Sequence, residues 1–259
     1  MARKLLLSVY KAMPQAIQKH AALYREAMLT ARLMRSRSSV RECNVCGYVG
    51  NFKAFGFPSR LDARCPQCNS LERHRLLKMW FDENFDENKD RVASKSALHF
   101  APETAVTSFV KPLVSKYVTA DLYASLAEIV LNIEAIDLPD NSFDMVICSH
   151  VLEHVDDRKA LHEMHRILTP GGIALLMTPV IEGWSETYES SDITSPQDRE
   201  LHYGQFDHVR YFGSDIRARV KAAGFALSEY TAVEPHVHKH ALTRGEKIFV
   251  ASKADLPAL

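Results

Sequence analysis

The sequence predicts an α/β protein built on a mostly parallel sheet, with a small cysteine-bound module in front of it. Two observations carry that prediction. The first is Phe143 to Ser149 (FDMVICS), a short apolar run rich in Val and Ile that follows turn residues, the pattern of a strand buried on both faces. A polar segment with helical spacing follows it (Leu161, Met164, Ile167, Leu168), then Thr169-Pro170-Gly171-Gly172 as a stop, then a second apolar run from Ile173 to Thr178. Strand, helix, turn and strand in about thirty-five residues make a βαβ unit. The second observation is Cys43-Asn-Val-Cys46 and Cys65-Pro-Gln-Cys68, two C-x2-C pairs separated by eighteen residues.

At 259 residues, with 46% hydrophobic and 25% charged side chains, the chain suits one α/β domain plus an appendage. No stretch approaches the length of a membrane span. The basic start, MARKLLLSVYKAMPQ, is interrupted by Lys11 and shows no small-residue cleavage pattern, so a cytoplasmic location is expected. The net charge of zero hides a division. Residues 1–95 carry 18 Lys and Arg against 9 Asp and Glu, whereas residues 96–259 carry 14 against 23. A basic front half can meet nucleic acid, an anionic membrane surface or an acidic partner, or simply its own acidic half.

Residues 1–40 read as a basic amphipathic helix. Met13, Ile17, Ala21, Tyr24, Met28 and Ala31 recur at steps of three and four, Pro14 starts or kinks the helix, and Arg32, Arg35, Arg37 and Arg41 cluster at its end. Such a stripe packs on its own domain or a partner, or lies peripherally on a membrane. Residues 41–69 read as a four-cysteine zinc ribbon. The spacing of Cys43, Cys46, Cys65 and Cys68 falls within that of structural zinc sites. Gly47 and Asn69, which follow the two pairs, tolerate the left-handed turn of a metal knuckle. Four thiolates around Zn²⁺ leave no open position, so the metal serves folding rather than chemistry. Iron is the competing occupant, and disulfides are the alternative. Cys148, inside the apolar strand, reads as core. Residues 70–95 read as a linking helix, with Leu71, Leu76, Leu77 and Trp80 inward, and then a solvated link.

From residue 96 to 259 the strands recur. Ala97–Phe100 is the first, Tyr117–Ala120 the second and Ile129–Ile133 the third; after the βαβ unit come Phe225–Tyr230 and Lys247–Ser252. Residues 213–223 read as helix, with Gly224 as its cap. Asp121 closes the second strand, where a carboxylate can accept hydrogen bonds from both hydroxyls of a ribose. Ser149 and His150 close the fourth, at the edge where open α/β sheets bind ligands. The insert at residues 179–210 is acidic, aromatic and too long for an ordinary connection, which marks a lid. Its candidate contacts are Trp184, Tyr188, Tyr203, Asp207, His208 and Arg210. His236, His238 and His240 alternate; on an extended segment they would share one face and could hold a metal, with a solvated loop as the alternative.

The string PDNSFDMVICSHVLEHVDD, followed by RILTPGG, closely resembles the middle of class I S-adenosylmethionine (SAM)-dependent methyltransferases of the type 11 kind. The resemblance implies a Rossmann-like fold with a mostly parallel seven-stranded sheet, SAM as cofactor, and a methyl-transfer activity. It makes Asp121 the ribose ligand, lays Leu122 on the adenine, and places Asn132 and Ile133 at the adenine edge. The glycine-rich turn of the family is missing. Here the segment is Leu98-His99-Phe100-Ala101-Pro102-Glu103, in which Ala101 replaces the first glycine, Pro102 fixes the turn and Glu103 can meet the cofactor's ammonium. His99 and Ser149 complete the expected cofactor contacts. His150, His208 and Arg210 are the candidate catalytic residues, the last two because an HVR-type string ends the insert in similar sequences. The acceptor is read as a small molecule or glycan; the alternatives are RNA gripped by the ribbon, where Phe52, Lys53, Phe55 and Phe57 are suggestive, and a non-catalytic adaptor.

Overall fold

Residues 14–35, 40–56, 59–85 and 95–254 are described by the computed structural model, and they fall into two compact units. The sequence readings for residues 1–13, 36–39, 57–58 and 86–94 lie outside the described residues. Among the described residues no helix is long and apolar enough to cross a membrane.

The first unit holds the described residues up to Met79, together with Ala232–Glu246. Helix α1 (Gln15–Arg35) starts directly after Pro14, whose carbonyl accepts the Ile17 and Gln18 amides at 2.9 and 3.1 Å. Proline fits there because it has no amide hydrogen for the first turn to orphan. Of the apolar stripe read from the sequence, Ile17, Tyr24 and Met28 are exposed. Two short antiparallel pairs follow: β1 (Arg41–Glu42) with β2 (Val49–Gly50), and β3 (Lys53–Phe55) with β4 (Arg60–Arg64). The arginines of these hairpins are spent internally. Arg41 pairs with Asp62, Arg60 with Glu72 and Arg64 with Glu26.

Helix α2 (Glu72–Phe85) carries the anchor of this unit, the fully buried Arg75. Its guanidinium donates to four backbone carbonyls: Ser70 at 2.7 Å, Ala63 at 3.0 Å, His240 at 2.7 Å and Ala241 at 2.9 Å. It also lies 4.7 Å over the Phe52 ring. A buried cation is tolerable only with such a full set of acceptors. Two of the four come from residues 232–246, which the sequence reading assigns to the catalytic domain. The compact units thus divide the chain differently from the contiguous boundaries 41–69, 70–95 and 96–259.

The second unit runs from Trp80 to Thr231 and resumes at Lys247. Its elements, in order, are β5 (Ser96–Phe100), α3 (Thr104–Val110), β6 (Lys116–Asp121), β7 (Ile129–Val130), β8 (Phe143–Ser149), α4 (Asp157–Ile167) and β9 (Leu168–Met177). After them come the insert elements β10 (Tyr188–Glu189), α5 (Pro196–Tyr203) and β11 (Arg210–Tyr211), then α6 (Ile216–Ala222) and β12 (Ala226–Tyr230). Helix α7 (His236–Lys239) belongs to the first unit, and β13 (Ile248–Ser252) closes the sheet. The seven-stranded sheet has the order β12-β13-β9-β8-β5-β6-β7. All its neighbours are parallel except β13, which runs antiparallel to both β9 and β12.

The βαβ reading holds with a local correction. Strand β9 begins at Leu168, pairing with Phe143, and a register shift precedes the Met145–Ile173 pair. The Thr-Pro-Gly-Gly stop is therefore an irregularity within the strand rather than a turn before it. Gly172 is needed there, because a Cβ would lie 2.8 Å from the Thr169 carbonyl oxygen and 3.0 Å from that of Asp144. Helix α4 is capped by the Asp156 side chain, which accepts the Lys159 amide, and buries Ala160, Leu161, Met164 and Ile167 against the sheet core. Cys148 is fully buried in that core, and burial pushes its thiol pKa up. The third strand is shorter than read, two residues rather than five, and Ile133 packs into the core beyond it.

The three alternating histidines do not share an extended face. His236–Lys239 is helical, His240 is buried with its Nδ1 2.8 Å from the Glu42 carbonyl, and the His236 and His240 rings stack.

Candidate active site

The cysteine site is built from two turns of the same design. Cys43 N donates to Tyr48 O at 2.8 Å and Gly47 N to Cys43 O at 2.8 Å; Cys65 N donates to Ser70 O at 2.9 Å and Asn69 N to Cys65 O at 3.0 Å. Gly47 and Asn69 both take the left-handed conformation, with φ of 75° and 60°. The turns bring Cys43 Sγ within 3.6 Å of Cys68 Sγ, and Cys46 Sγ within 3.6 Å of Cys65 Sγ. All four sulfurs lie within 4.8 Å of one another. Ser70 Oγ stands 3.2 Å from both Cys43 and Cys68. Burial opposes the Cys68 thiolate, but its hydrogen bonds to Ser70 prevail and lower its pKa to about 7. The donor set suits a soft tetrahedral ion. The aromatic residues nearby are not free platforms: Phe52 is buried beneath Arg75, and Phe55 carries the Arg64 guanidinium at 4.9 Å.

In the sheet unit the chain leaves β5 toward β6 on one side, while β8 lies on the other. Such a reversal opens a crevice at the carboxyl ends of the strands. The backbone is unusual at both ends facing it. Ala101, just past β5, has φ of 48°, and His150, just past β8, has φ of 55°. Left-handed backbone is uncommon for residues with a Cβ. Ala101 thus holds the conformation a glycine would adopt at no cost, pinned by its amide to Ala120 O at 2.9 Å. Asp121 ends β6, and its Oδ1 accepts the Tyr123 amide at 3.1 Å, which fixes the carboxylate in place. Leu122 beside it is exposed. Ser149 ends β8 with its Oγ buried and without a hydrogen-bond partner among the described residues. Glu103 occupies the N-cap position of α3 but makes no side-chain cap hydrogen bond.

Other residues expected at the cofactor are used differently. His99 is fully buried, its Nδ1 2.6 Å from the Tyr117 hydroxyl, which in turn lies 3.0 Å from Thr107 Oγ1. Burial pushes the Tyr117 pKa up to about 12. This set braces β5 against β6 and α3. Asn132 is exposed, and its Oδ1 accepts the Glu134 amide at 3.0 Å. The Ile133 side chain, 4% exposed, leaves only its backbone for a ligand.

A second group lies just beyond His150. Glu153, only 2% exposed, accepts Thr178 Oγ1 at 2.9 Å on one oxygen and faces His150 Nδ1 at 3.1 Å with the other. Burial opposes its charge, but the hydrogen bond and charge of His150 outweigh it and hold the carboxyl pKa below its ordinary value. Glu153 is therefore ionised, and it orients the His150 ring by Nδ1, leaving Nε2 as the free nitrogen. The spacing His150-x-x-Glu153 is the only sequence trace of this dyad. His154 and His208 meet edge to face with ring centroids 4.6 Å apart. Burial, then the neighbouring His154, lowers the His208 pKa.

The insert folds as a hairpin, β10 with β11, around α5. Tyr203 is fully buried, and its hydroxyl accepts the Ser190 amide at 3.0 Å; the Tyr188 and Tyr211 rings pack against it, and Trp184 packs against both of them. Arg210 corrects the sequence reading. Rather than facing a substrate, it is 8% exposed and pairs with Asp157 and Glu189, each at 2.8 Å. It also donates to Val155 O at 2.6 Å and Leu152 O at 3.1 Å. Arg219 shares both carboxylates. Arg210 thus clamps the insert hairpin to α4. His208, two residues earlier, does reach the His150–Glu153 group.

Comparison with known proteins agrees with this arrangement. A family model described as "Methyltransferase domain" matches residues 107–176. The chain is similar to the ubiquinone/menaquinone biosynthesis C-methyltransferase UbiE of Escherichia coli (strain K12 / DH10B), with 35% identity over 113 residues, which cover 38% of this chain and 45% of that protein. UbiE of Shigella boydii serotype 18 matches to the same extent. The chain thus spans less than half the length of the curated relatives it matches. Among solved structures, YcgJ of Bacillus subtilis superposes with a TM-score of 0.48 at 16% identity, covering 71% of this chain and 100% of that one. Residues 107–176, from within α3 into β9, thus match a methyltransferase domain, and they contribute four strands to the seven-stranded sheet with its antiparallel β13.

Proposed function

We propose that the protein is a SAM-dependent methyltransferase acting on a small-molecule or glycan-like acceptor. The observation that carries this reading is the edge formed by Ala101, Asp121 and Ser149 at the carboxyl ends of three adjacent strands. A glycine-like backbone at Ala101, a fixed carboxylate at Asp121 and an orphaned buried hydroxyl at Ser149 fit a nucleoside ligand. Asp121 would take the ribose hydroxyls, Leu122 would cover the base, and Glu103 and Ser149 would hold the amino acid end. Bound there, SAM supplies a sulfonium methyl for a nucleophile on the acceptor.

His150 is the acid–base candidate of this site. Its Nδ1 is tied to Glu153, so Nε2 is the atom that would take a proton from an acceptor hydroxyl or ammonium. Positioning remains the larger contribution, because in-line methyl transfer depends on approach geometry. The lid at 179–210, whose His208 reaches this group, would enclose the acceptor. The relative's printed role in quinone biosynthesis is in keeping with a small-molecule acceptor. Gripping of RNA by the ribbon is disfavoured, because its Arg41, Arg60 and Arg64 are paired internally and Phe52 is buried.

The cysteine cluster is read as a structural zinc site that folds the first unit. Docking through residues 1–40 belongs to the same reading, and Ile17, Tyr24 and Met28 offer an exposed apolar stripe for it.

Calorimetric titration with S-adenosylhomocysteine tests the enzyme reading. Micromolar binding is expected for the wild type, with at least about a tenfold loss in Asp121→Ala, since a hydrogen bond to a charged group contributes about 1.5–3 kcal/mol. A folded wild type that does not bind would turn the reading toward an adaptor.

A further inference from the structure

We propose that Glu153, His154 and His208 form a second metal site, which takes a divalent first-row transition ion through two imidazole nitrogens and one carboxylate oxygen. One ligand atom from each lies within 4.8 Å of the others. The three come from two places, a single 3-10 turn (Leu152–His154) and the end of the lid insert. The Val209 amide fixes one to the other by donating to Glu153 O at 2.9 Å.

The hydrogen bonds around the cluster leave one nitrogen of each imidazole bare. His154 Nδ1 is committed to Asp207, 3.3 Å from its carbonyl and 3.5 Å from its carboxylate, so Nε2 is the nitrogen left for a metal. His208 Nδ1 is buried without a hydrogen-bond partner among the described residues. That nitrogen is the one His208 can turn to a metal. Metal-ligating histidines are typically held as His154 is, with the second ring nitrogen donating to a carbonyl or carboxylate. Glu153 is the third part of the pattern. It is a nearly fully buried carboxylate whose oxygens are oriented by Thr178 and His150, yet each oxygen keeps a further lone pair.

Two nitrogens and one oxygen make a harder donor set than the four thiolates of the knuckles, so the two sites differ in chemistry. Three protein ligands also leave coordination positions open for water or for an oxygen of the acceptor.

Elemental analysis of the full chain, saturated with zinc and then freed of excess by gel filtration, tests the proposal. Wild type should hold one zinc more per chain than His208→Ala and than His154→Ala, each with a sheet unit that still melts cooperatively. Cobalt added to the zinc-loaded chain after removal of the weaker-held zinc should give weak visible bands without thiolate-to-cobalt absorption. These bands should be missing in both variants. Equal zinc contents in wild type and folded variants would overturn the proposal. If neither variant folds, the wild-type cobalt spectrum decides alone: absorption by thiolate only, or none at all, overturns it. Neither readout depends on methyl transfer, so a failed metal site and a failed enzyme reading remain distinguishable.

Discussion

Ala101 and Asp144 show how single residues set the crevice and the strand beside it. A left-handed alanine costs about 1–2 kcal/mol relative to its relaxed backbone. Replacing it with glycine removes that strain but gives the unfolded chain more freedom, by about 0.4–1 kcal/mol. Ala101→Gly is therefore expected to leave the thermal midpoint unchanged or slightly raised, whereas Ala101→Val should lower it and weaken S-adenosylhomocysteine binding. A marked loss of stability in Ala101→Gly would contradict the strain argument. Asp144, in β8, accepts Ser96 N and Ser96 Oγ at 2.9 Å each and Lys95 Nζ at 3.3 Å. Burial works against its charge, but the Ser96 and Lys95 contacts prevail and depress its pKa. A depressed folded-state pKa contributes stability that is full above the unfolded carboxylate value of about 3.9 and is lost as pH falls through the folded value. Asp144→Asn should cost about 1–2 kcal/mol at neutral pH and flatten the acid limb of a melting-temperature–pH curve. In the sequence Asp121 and Ser149 stand out as candidates because each closes an apolar strand. It misplaced His99, since a strand buried on both faces shows no alternation to say which way a side chain turns.

At the scale of elements, the insert is held by charges far apart in the chain. Arg210 and Arg219 share Asp157 and Glu189, residues that no local pattern connects. This is why an arginine near the end of an insert reads as a substrate contact and turns out to be a clamp. Removing one partner of a buried pair leaves a charge uncompensated, at a cost of about 3–5 kcal/mol. Because Arg219 remains on Asp157, the loss in Arg210→Met is expected near the lower end, about 3 kcal/mol. Calorimetry should show the lower midpoint, and limited proteolysis should show earlier cleavage within 179–210. Arg210→Lys should recover part of the stability, since it restores charge but not the fork that reaches two carboxylates and two carbonyls. Strands β5, β6 and β8 matched their sequence limits to within a residue because apolar runs bounded by turns are local signals. The Thr-Pro-Gly-Gly step misled for a related reason: a turn signal also fits an irregularity between two paired strands.

For the whole molecule, the main departure from the sequence reading is residues 232–246. They look like a polar loop between two strands, yet they complete the first unit through backbone carbonyls, which leave no mark in the sequence. Chelation of the metal expected at the four cysteines should therefore increase amide deuterium exchange in residues 40–79 and also in residues 232–246, although these lie far from any cysteine in sequence. Unchanged exchange in 232–246 would show that the segment keeps its fold without the knuckles.

Arg75 gives that arrangement a consequence for biosynthesis. Two of its four acceptors, at His240 and Ala241, leave the ribosome about 165 residues after it does. Until then a guanidinium built for burial lacks half of its carbonyls, so the amino-terminal module cannot settle as it emerges. It must stay open, or be chaperoned, while the entire parallel part of the sheet is made. The cysteine module, made before the sheet, is thus finished only after it.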